Sequence, residues 1–220
     1  MAKVHKLDKG CLSVEFLVLG PIENNTFIIS DDAATFVVDP SSDLDAIVTA
    51  LGGRKLDAIV LTHRHQDHVD VAAALKKATG ATVIASKRDA GEIEKPTREG
   101  SYPVAPPCKV DQRVSDGDIV KIGNMPWKVI ATPGHTEGSI CLFIDPRFGT
   151  DPKKAPLLIS GDTLFFGSIG RTDFKGGSMS DMRKSLKRLA VLPDATIVLP
   201  GHNDLTTIGA ERKRVFAFYA

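Results

Sequence analysis

A chain of 220 residues, 42% of them hydrophobic, can bury roughly 70% of its unfolded surface, so residues 1–220 are read as one domain that needs no covalent staples. The formal net charge of +1 excludes a general field for nucleic acid or an anionic membrane, and no apolar run reaches the length of a transmembrane helix. Three scattered cysteines, Cys11, Cys108 and Cys141, read as reduced thiols in a cytoplasmic protein, with Cys141 inside a strand.

In chain order, the apolar runs at 14–19, 26–29 and 35–38 predict three strands separated by polar turns. The first run is short and broken by Glu15, so it is not a signal peptide. A helix is predicted over 44–51, stopped by Gly52 and Gly53. Next come a strand over 58–61, a helix over 69–78 ending at Gly80, and a strand over 82–85. Residues 94–108 carry Pro96, Pro103, Pro106 and Pro107 with few apolar anchors, which reads as a surface loop at the rim of a site. Strands follow at 119–122, 127–131, 139–144 and 157–160, the last two separated by a polar loop. A glycine-rich segment over 167–177 leads to a helix over 179–192, a strand over 195–199 and a helix over 208–216. Strands, helices, strands and helices in this order suit an α/β (α+β) arrangement, two sheets face to face with helices outside.

The polar chemistry gathers at the strand ends. His63, His65, Asp67 and His68 form an H-x-H-x-D-H cluster directly after the apolar run 58–61. Residues two apart on an extended chain point the same way, so His63 and His65 can grip one cation. Asp67 and His68 fall where a helix begins and can face a second. His135 and His202 each follow a β-rich run and Pro-Gly, and Asp162 follows the run 157–160 through Gly161. Four strands thus end in metal-competent groups, and of the six histidines only His5, in the N-terminal tail, is left over. Seven nitrogen and oxygen donors exceed the four closed ligands of a structural zinc site and suffice for two metals with an open position.

The segments THRHQDH at 62–68, TPGHTEGS at 132–139, SGDTLFFGSIGRTDF at 160–174 and LPGHN at 199–203 together resemble the metallo-β-lactamase superfamily. Within it, the chain is similar to the glyoxalase II-like (hydroxyacylglutathione hydrolase-like) group in its short, single-domain bacterial form. The resemblance covers about 14–212 and implies a four-layer αββα sandwich. It implies that His63, His65 and His135 bind one divalent metal, that Asp67, His68 and His202 bind a second, and that Asp162 bridges them. Zinc is the first expectation for the metal, with iron or manganese as alternatives. The resemblance further implies that a hydroxide between the metals attacks the carbonyl of a small-molecule thioester or glutathione-like substrate, with Asp67 and Asp162 as catalytic residues. Full-length glyoxalase II enzymes carry a helical domain after the last histidine ligand. Here Asn203 to Ala220 leave room for one helix, so a more open site is expected.

Two questions stay open at this stage. Persulfide dioxygenases share these motifs but hold one iron, through the set that here would be His63, His135 and Asp162. Within the glycine-rich segment, Arg171 and Lys175 are candidates for binding an anionic substrate, yet Arg171 can equally pair with Asp173 to pin the loop. A nuclease is disfavoured by the near-zero net charge, and a flavin-linked redox scaffold by the lack of residues for a second domain. The oligomeric state is not encoded in any of these features.

Overall fold

Alternation along the strands sorts the apolar side chains into three layers, and these layers define the architecture. The structure, a computed structural model, describes residues 3–9, 12–96, 104–145 and 155–220. One sheet holds seven strands in sequential order: β1 (Val4–Lys9), β2 (Leu12–Leu19), β3 (Asn24–Ser30), β4 (Thr35–Val38), β5 (Ala58–Leu61), β6 (Thr82–Ser86) and β7 (Gln112–Val114). The other holds β8 (Ile119–Ile122), β9 (Met125–Ala131), β10 (Ile140–Ile144), β11 (Leu157–Gly161), β12 (Ile197–Pro200) and β13 (Thr206–Thr207), in the spatial order β13-β12-β11-β10-β9-β8. In the first sheet β1 to β4 pair antiparallel and β4 to β7 parallel; in the second, β11 and β12 form the parallel pair.

The register explains the layers. Phe27 and Ile29 of β3, Phe36 and Val38 of β4, and Val60 of β5 point between the sheets and meet Trp127, Val129, Leu142, Leu157 and Ile159 of the second sheet. Trp127 is fully buried and meets the Phe36 ring edge-on at 5.5 Å. The intervening residues Ile28, Val37, Ile59 and Leu61 face outward. They are covered by Ile47 and Leu51 of α1 (Leu44–Leu51), Val69 of α2 (Gln66–Val69), Leu75 of α3 (Ala72–Thr79) and Ile93 of α4 (Ala90–Ile93). On the far side, Ile130, Cys141, Leu158 and Val198 pack beneath Met182, Leu186 and Leu189 of α5 (Met179–Leu189). Ile208 of α6 (Ile208–Glu211) and Val215 and Phe216 of the π-helical turn Arg212–Phe216 complete that layer. The result is the expected helix-sheet-sheet-helix sandwich.

Several elements differ from the sequence expectation. The helix predicted from residue 69 begins at Gln66 and is broken at Asp70 and Val71, because the Val71 N–H leaves the helix to donate to Pro40 O at 3.3 Å. This earlier start puts Asp67 and His68 inside a helical turn. His5 lies in β1 rather than a tail and stacks on Phe16 at 4.8 Å. Within 94–108, residues 97–103 lie outside the described residues, but Ala105 and Cys108 are buried under the first sheet, so that segment has apolar anchors after all. The last helix takes a π turn just after Glu211, whose fully buried carboxylate accepts from Thr206 Oγ1 and the Gly167 N–H.

Cys141 sits in β10 as expected, and Cys11 lies outside the described residues. Burial pushes the Cys141 thiol up to about 11, against a smaller opposite effect of hydrogen bonds from Thr132 and Thr163. Burial likewise pushes Cys108 up to about 11. Neither thiol should therefore react with a disulfide reagent in the native protein at about pH 8, while unfolding in guanidinium should release both. Fast native labelling of Cys141 would contradict its place in the core.

Candidate metal centre

Strands from both sheets deliver their ends to one edge of the sandwich. Asp39 follows β4, His63 and His65 follow β5, and Asp67 and His68 lie in α2. His135 stands between β9 and β10, Asp162 follows β11 and His202 follows β12. Backbone hydrogen bonds cross between the sheets here: Asn25 N–H donates to Gly201 O at 2.7 Å and Ile140 N–H to Thr62 O at 3.0 Å. Gly201 is needed for closeness, since a β-carbon there would fall 2.3 Å from Asp162 Oδ1 and 2.7 Å from His68 Cε1.

The seven predicted donors converge, six of them in two groups of three. His63, His65 and His135 present ligand atoms within 4.8 Å of one another, and so do Asp67, His68 and His202. Asp162 lies between the groups. Its Oδ2 is 3.3 Å from His135 Nε2 and 3.6 Å from His202 Nε2, and its Oδ1 is 3.4 Å from His68 Nε2. The carboxylate therefore touches a member of each trio. A third trio, Asp39 with His63 and His68, also meets the distance condition. Asp39 was not among the residues singled out from sequence.

Outer partners set which imidazole nitrogen faces inward. His68 Nδ1 donates to Asp39 Oδ2 at 3.0 Å, His135 Nδ1 to Arg171 O at 2.7 Å, and His202 Nδ1 to Ile22 O at 3.1 Å. Thr62 Oγ1 gives its proton to Asp39 Oδ2 at 2.6 Å and so accepts from His63 Nδ1 at 3.0 Å. In its neutral form each of these four rings turns Nε2, not Nδ1, toward the centre, the nitrogen that a metal would take once any proton on it is lost.

The electrostatics fit a cation. His63 Nε2 is buried with no hydrogen-bond partner, a costly state for a polar atom unless a ligand meets it. Burial, then His68, His65 and His135, pushes the His63 imidazole well below its ordinary range and keeps it neutral. Burial opposes charge on His68 too, but Asp67 and Asp162 outweigh it and raise its pKa well above the ordinary value. Burial would raise Asp67, yet His68 with hydrogen bonds from His202, His68 and Asn24 holds it far below the usual carboxylate range. Burial would also raise Asp162, and His68, His135 and His202 hold it at about 2. Two carboxylates held ionised beside a buried imidazole nitrogen with no partner are a donor set that divalent cations would suit.

Around the rim, Arg64 projects away from the donors between which it stands. Its Nη1 donates to the fully buried Asp89 at 2.8 Å and its Nη2 to Lys175 O at 2.7 Å. Asp89 also accepts from Thr136 Oγ1 at 2.7 Å and from Arg64 N–H at 3.0 Å. One carboxylate thus ties the loop of His63 and His65 to the loop of His135, and Arg64 extends the tie to the glycine-rich segment. Arg171 is exposed and makes a two-pronged pair with Asp173 at 2.9 and 2.8 Å, with its guanidinium carbon 4.2 Å above the Phe174 ring centre. Of the two readings open for Arg171, the loop-pinning pair is the one drawn in the structure. Lys175 is exposed, and its backbone is what the site uses.

Comparison with known proteins falls in line with this arrangement. The sequence profile described as Metallo-beta-lactamase superfamily matches residues 19–202. An uncharacterized protein of Aquifex aeolicus is 37% identical over 205 residues, spanning 90% of this chain and 93% of its own length. Hydroxyacylglutathione hydrolase GloC of Haemophilus influenzae is 27% identical over 212 residues, spanning 92% of this chain and 96% of its own. Among solved structures, the BLEG-1 B3 metallo-beta-lactamase superposes with a TM-score of 0.82 at 31% identity, covering 92% of this chain and 98% of that one. TTHA1623, solved in a di-iron-bound form, gives 0.74 at 29%, covering 90% and 96%. ETHE1 from Myxococcus xanthus gives 0.68 at 28%, covering 96% and 82%. The matched span opens on the last residue of β2 and closes on His202, the last donor of the centre: the chain belongs to the metallo-beta-lactamase superfamily.

Proposed function

We propose that this protein is a dinuclear metallohydrolase that cleaves a small-molecule thioester, in the manner of a hydroxyacylglutathione hydrolase. The observation that carries the reading is the place of Asp162, in contact with one donor trio on each side. His63, His65 and His135 would hold one cation, Asp67, His68 and His202 the other, and Asp162 would serve both. When bound, the cations lower the pKa of a water to near neutrality and stabilise charge developing on a carbonyl oxygen. Asp67, 22% exposed at its side chain, stands at the more open side of the centre, where it can orient that water. A thiolate leaves without much help from an acid, so this reading needs no dedicated general acid. Lys175, and Arg171 on exchanging Asp173 for a substrate carboxylate, would supply exposed positive charge on the segment beside His135, suited to a glutathione-like substrate. Imidazole and carboxylate donors suit zinc, iron or manganese, and zinc is our first expectation.

Support from relatives is of two kinds. The likeness to the Haemophilus influenzae hydrolase extends over nearly its whole length. The likeness to ETHE1 favours a second reading, a mononuclear iron persulfide dioxygenase using His63, His135 and Asp162. Elemental analysis of protein loaded with metal, with thiol release from S-lactoylglutathione and oxygen uptake with glutathione persulfide, separates the two. We expect two metals per chain, thiol release and no oxygen demand. One iron per chain with rapid oxygen uptake and negligible thioester cleavage would install the second reading. Within the first, Arg171→Ala should raise KM for anionic thioesters severalfold and leave neutral thioesters and Tm unaltered. An equal loss on both substrate classes with a lowered Tm would confine Arg171 to pinning the loop.

A further inference from the structure

Asn24 opens β3 and is 2% exposed. Both sheets fix its place. It bridges antiparallel to His202, while the Asn25 side chain donates to Pro200 O at 3.0 Å and Asn203 O at 2.8 Å. The first residue of a strand in one sheet is thereby tied to the loop that carries the last histidine in the other. Held there, the Asn24 side chain enters the second trio. Its Nδ2 donates to Asp67 Oδ2 at 2.7 Å and stands 3.3 Å from both His68 Nε2 and His202 Nε2.

The amide must face this way, because its oxygen would set one acceptor against the Asp67 carboxylate oxygen 2.7 Å away. With the Nδ1 of His68 spent on Asp39 and that of His202 on Ile22 O, each neutral ring presents its Nε2 as an acceptor. One N–H2 group therefore meets the same three lone pairs that a cation would need. The first trio is held from within rather than by an outside amide: His65 Nδ1 and His135 Nε2 stand 2.7 Å apart, and His63 Nε2 is buried with no hydrogen-bond partner to give up.

We infer that Asn24 is a built-in competitor for the second cation: its amide organises Asp67, His68 and His202 before that cation arrives and must release them for it to bind. This rests on the dinuclear reading above and adds an order to it, with the His63, His65 and His135 site filling first. It also makes the second site the weaker of the two, open to exchange with the metal supply while the first stays loaded.

The test is titration of metal-free protein with Zn²⁺ against a chromophoric chelator, and with Co²⁺ to read each site by its visible bands. Wild-type protein should bind two cations in two resolved steps. Asn24→Ala should leave the first step alone and tighten the second about 10- to 100-fold, the usual range for a hydrogen bond to a charged group. The metal-free variant should melt below wild type and the fully loaded variant level with it. Asn24→Leu, which keeps the volume and removes the amide, should shift the second step the same way; an unaltered first step in either variant shows that the fold is intact. A second step that is weaker or unaltered in the variants, or a single merged step in wild type, overturns the inference. Two cations with an unaltered second step would remove this inference alone, whereas saturation of wild type at one cation would remove the dinuclear reading with it.

Discussion

Asp162→Ala is expected to lower kcat/KM by on the order of 10³-fold or more, since charge stabilisation at a metal centre contributes several kcal/mol. The magnitude follows from geometry. Asp162 is 8% exposed, and its two oxygens lie between 3.3 and 3.6 Å from His135, His68 and His202. No other carboxylate among the described residues is in ion-pair distance of His135 and of His202 together. Its negative charge favours cations in both trios, so removing it weakens both, whereas His202→Ala removes one donor from one trio. The alanine variant should therefore lose more activity than His202→Ala and retain less metal after dialysis. Steady-state kinetics and elemental analysis of the two variants decide this. Near-normal turnover in Asp162→Ala would reduce Gly161-Asp162 to a turn at the end of β11.

The three-layer core was legible because buried strands announce themselves locally. Ile28, Val37 and Ile59 alternate with Phe27, Phe36 and Val60 within runs short enough to read by eye, and the pleat alone decides which layer each joins. The seven donors were legible for a related reason: each lies within seven residues of the end of such a run. Asp39 obeys the same grammar, after Val37 and Val38, but a lone Asp before a proline also reads as an ordinary turn. β1 and β7 were missed because their residues are largely polar or half-exposed, and their strand geometry comes from pairing with β2 and β6. Asn24 and the Arg64–Asp89 pair carry no local signal at all. Asn24 meets Asp67 and His202 across 43 and 178 positions, and Arg64 meets Asp89 across 25, contacts that exist only once the strands are paired and, for His202, the sheets are stacked. Residue chemistry could nominate the donors, but only topology could supply the groups that orient them.

Those orienting groups meet at Asp39, whose loss is expected to be the most damaging change outside the seven donors. Asp39 is 2% exposed and sits at φ 47°, a strained setting for a residue with a β-carbon. Its Oδ1 accepts from Thr62 N–H at 2.8 Å; its Oδ2 accepts from Thr62 Oγ1 at 2.6 Å and from His68 Nδ1 at 3.0 Å. Through Thr62 it orients His63 of the first trio, and directly it orients His68 of the second. Asp39→Ala strands a buried N–H, a hydroxyl and an imidazole N–H together, so a loss of about 3 kcal/mol or more in stability is expected, with metal affinity down roughly 10- to 100-fold at both sites. Asp39→Asn separates orientation from packing. The amide keeps the shape but can offer only one acceptor oxygen, which either the Thr62 N–H or the Thr62 hydroxyl and His68 must forgo. If His68 reverses its tautomer in response, a proton replaces the lone pair that faces Asp67 and His202. The second site should then lose affinity while Tm falls less than in the alanine variant. Metal titration and thermal melting of both variants check this, and an asparagine variant that binds two cations as wild type does would show that His68 holds its orientation without Asp39.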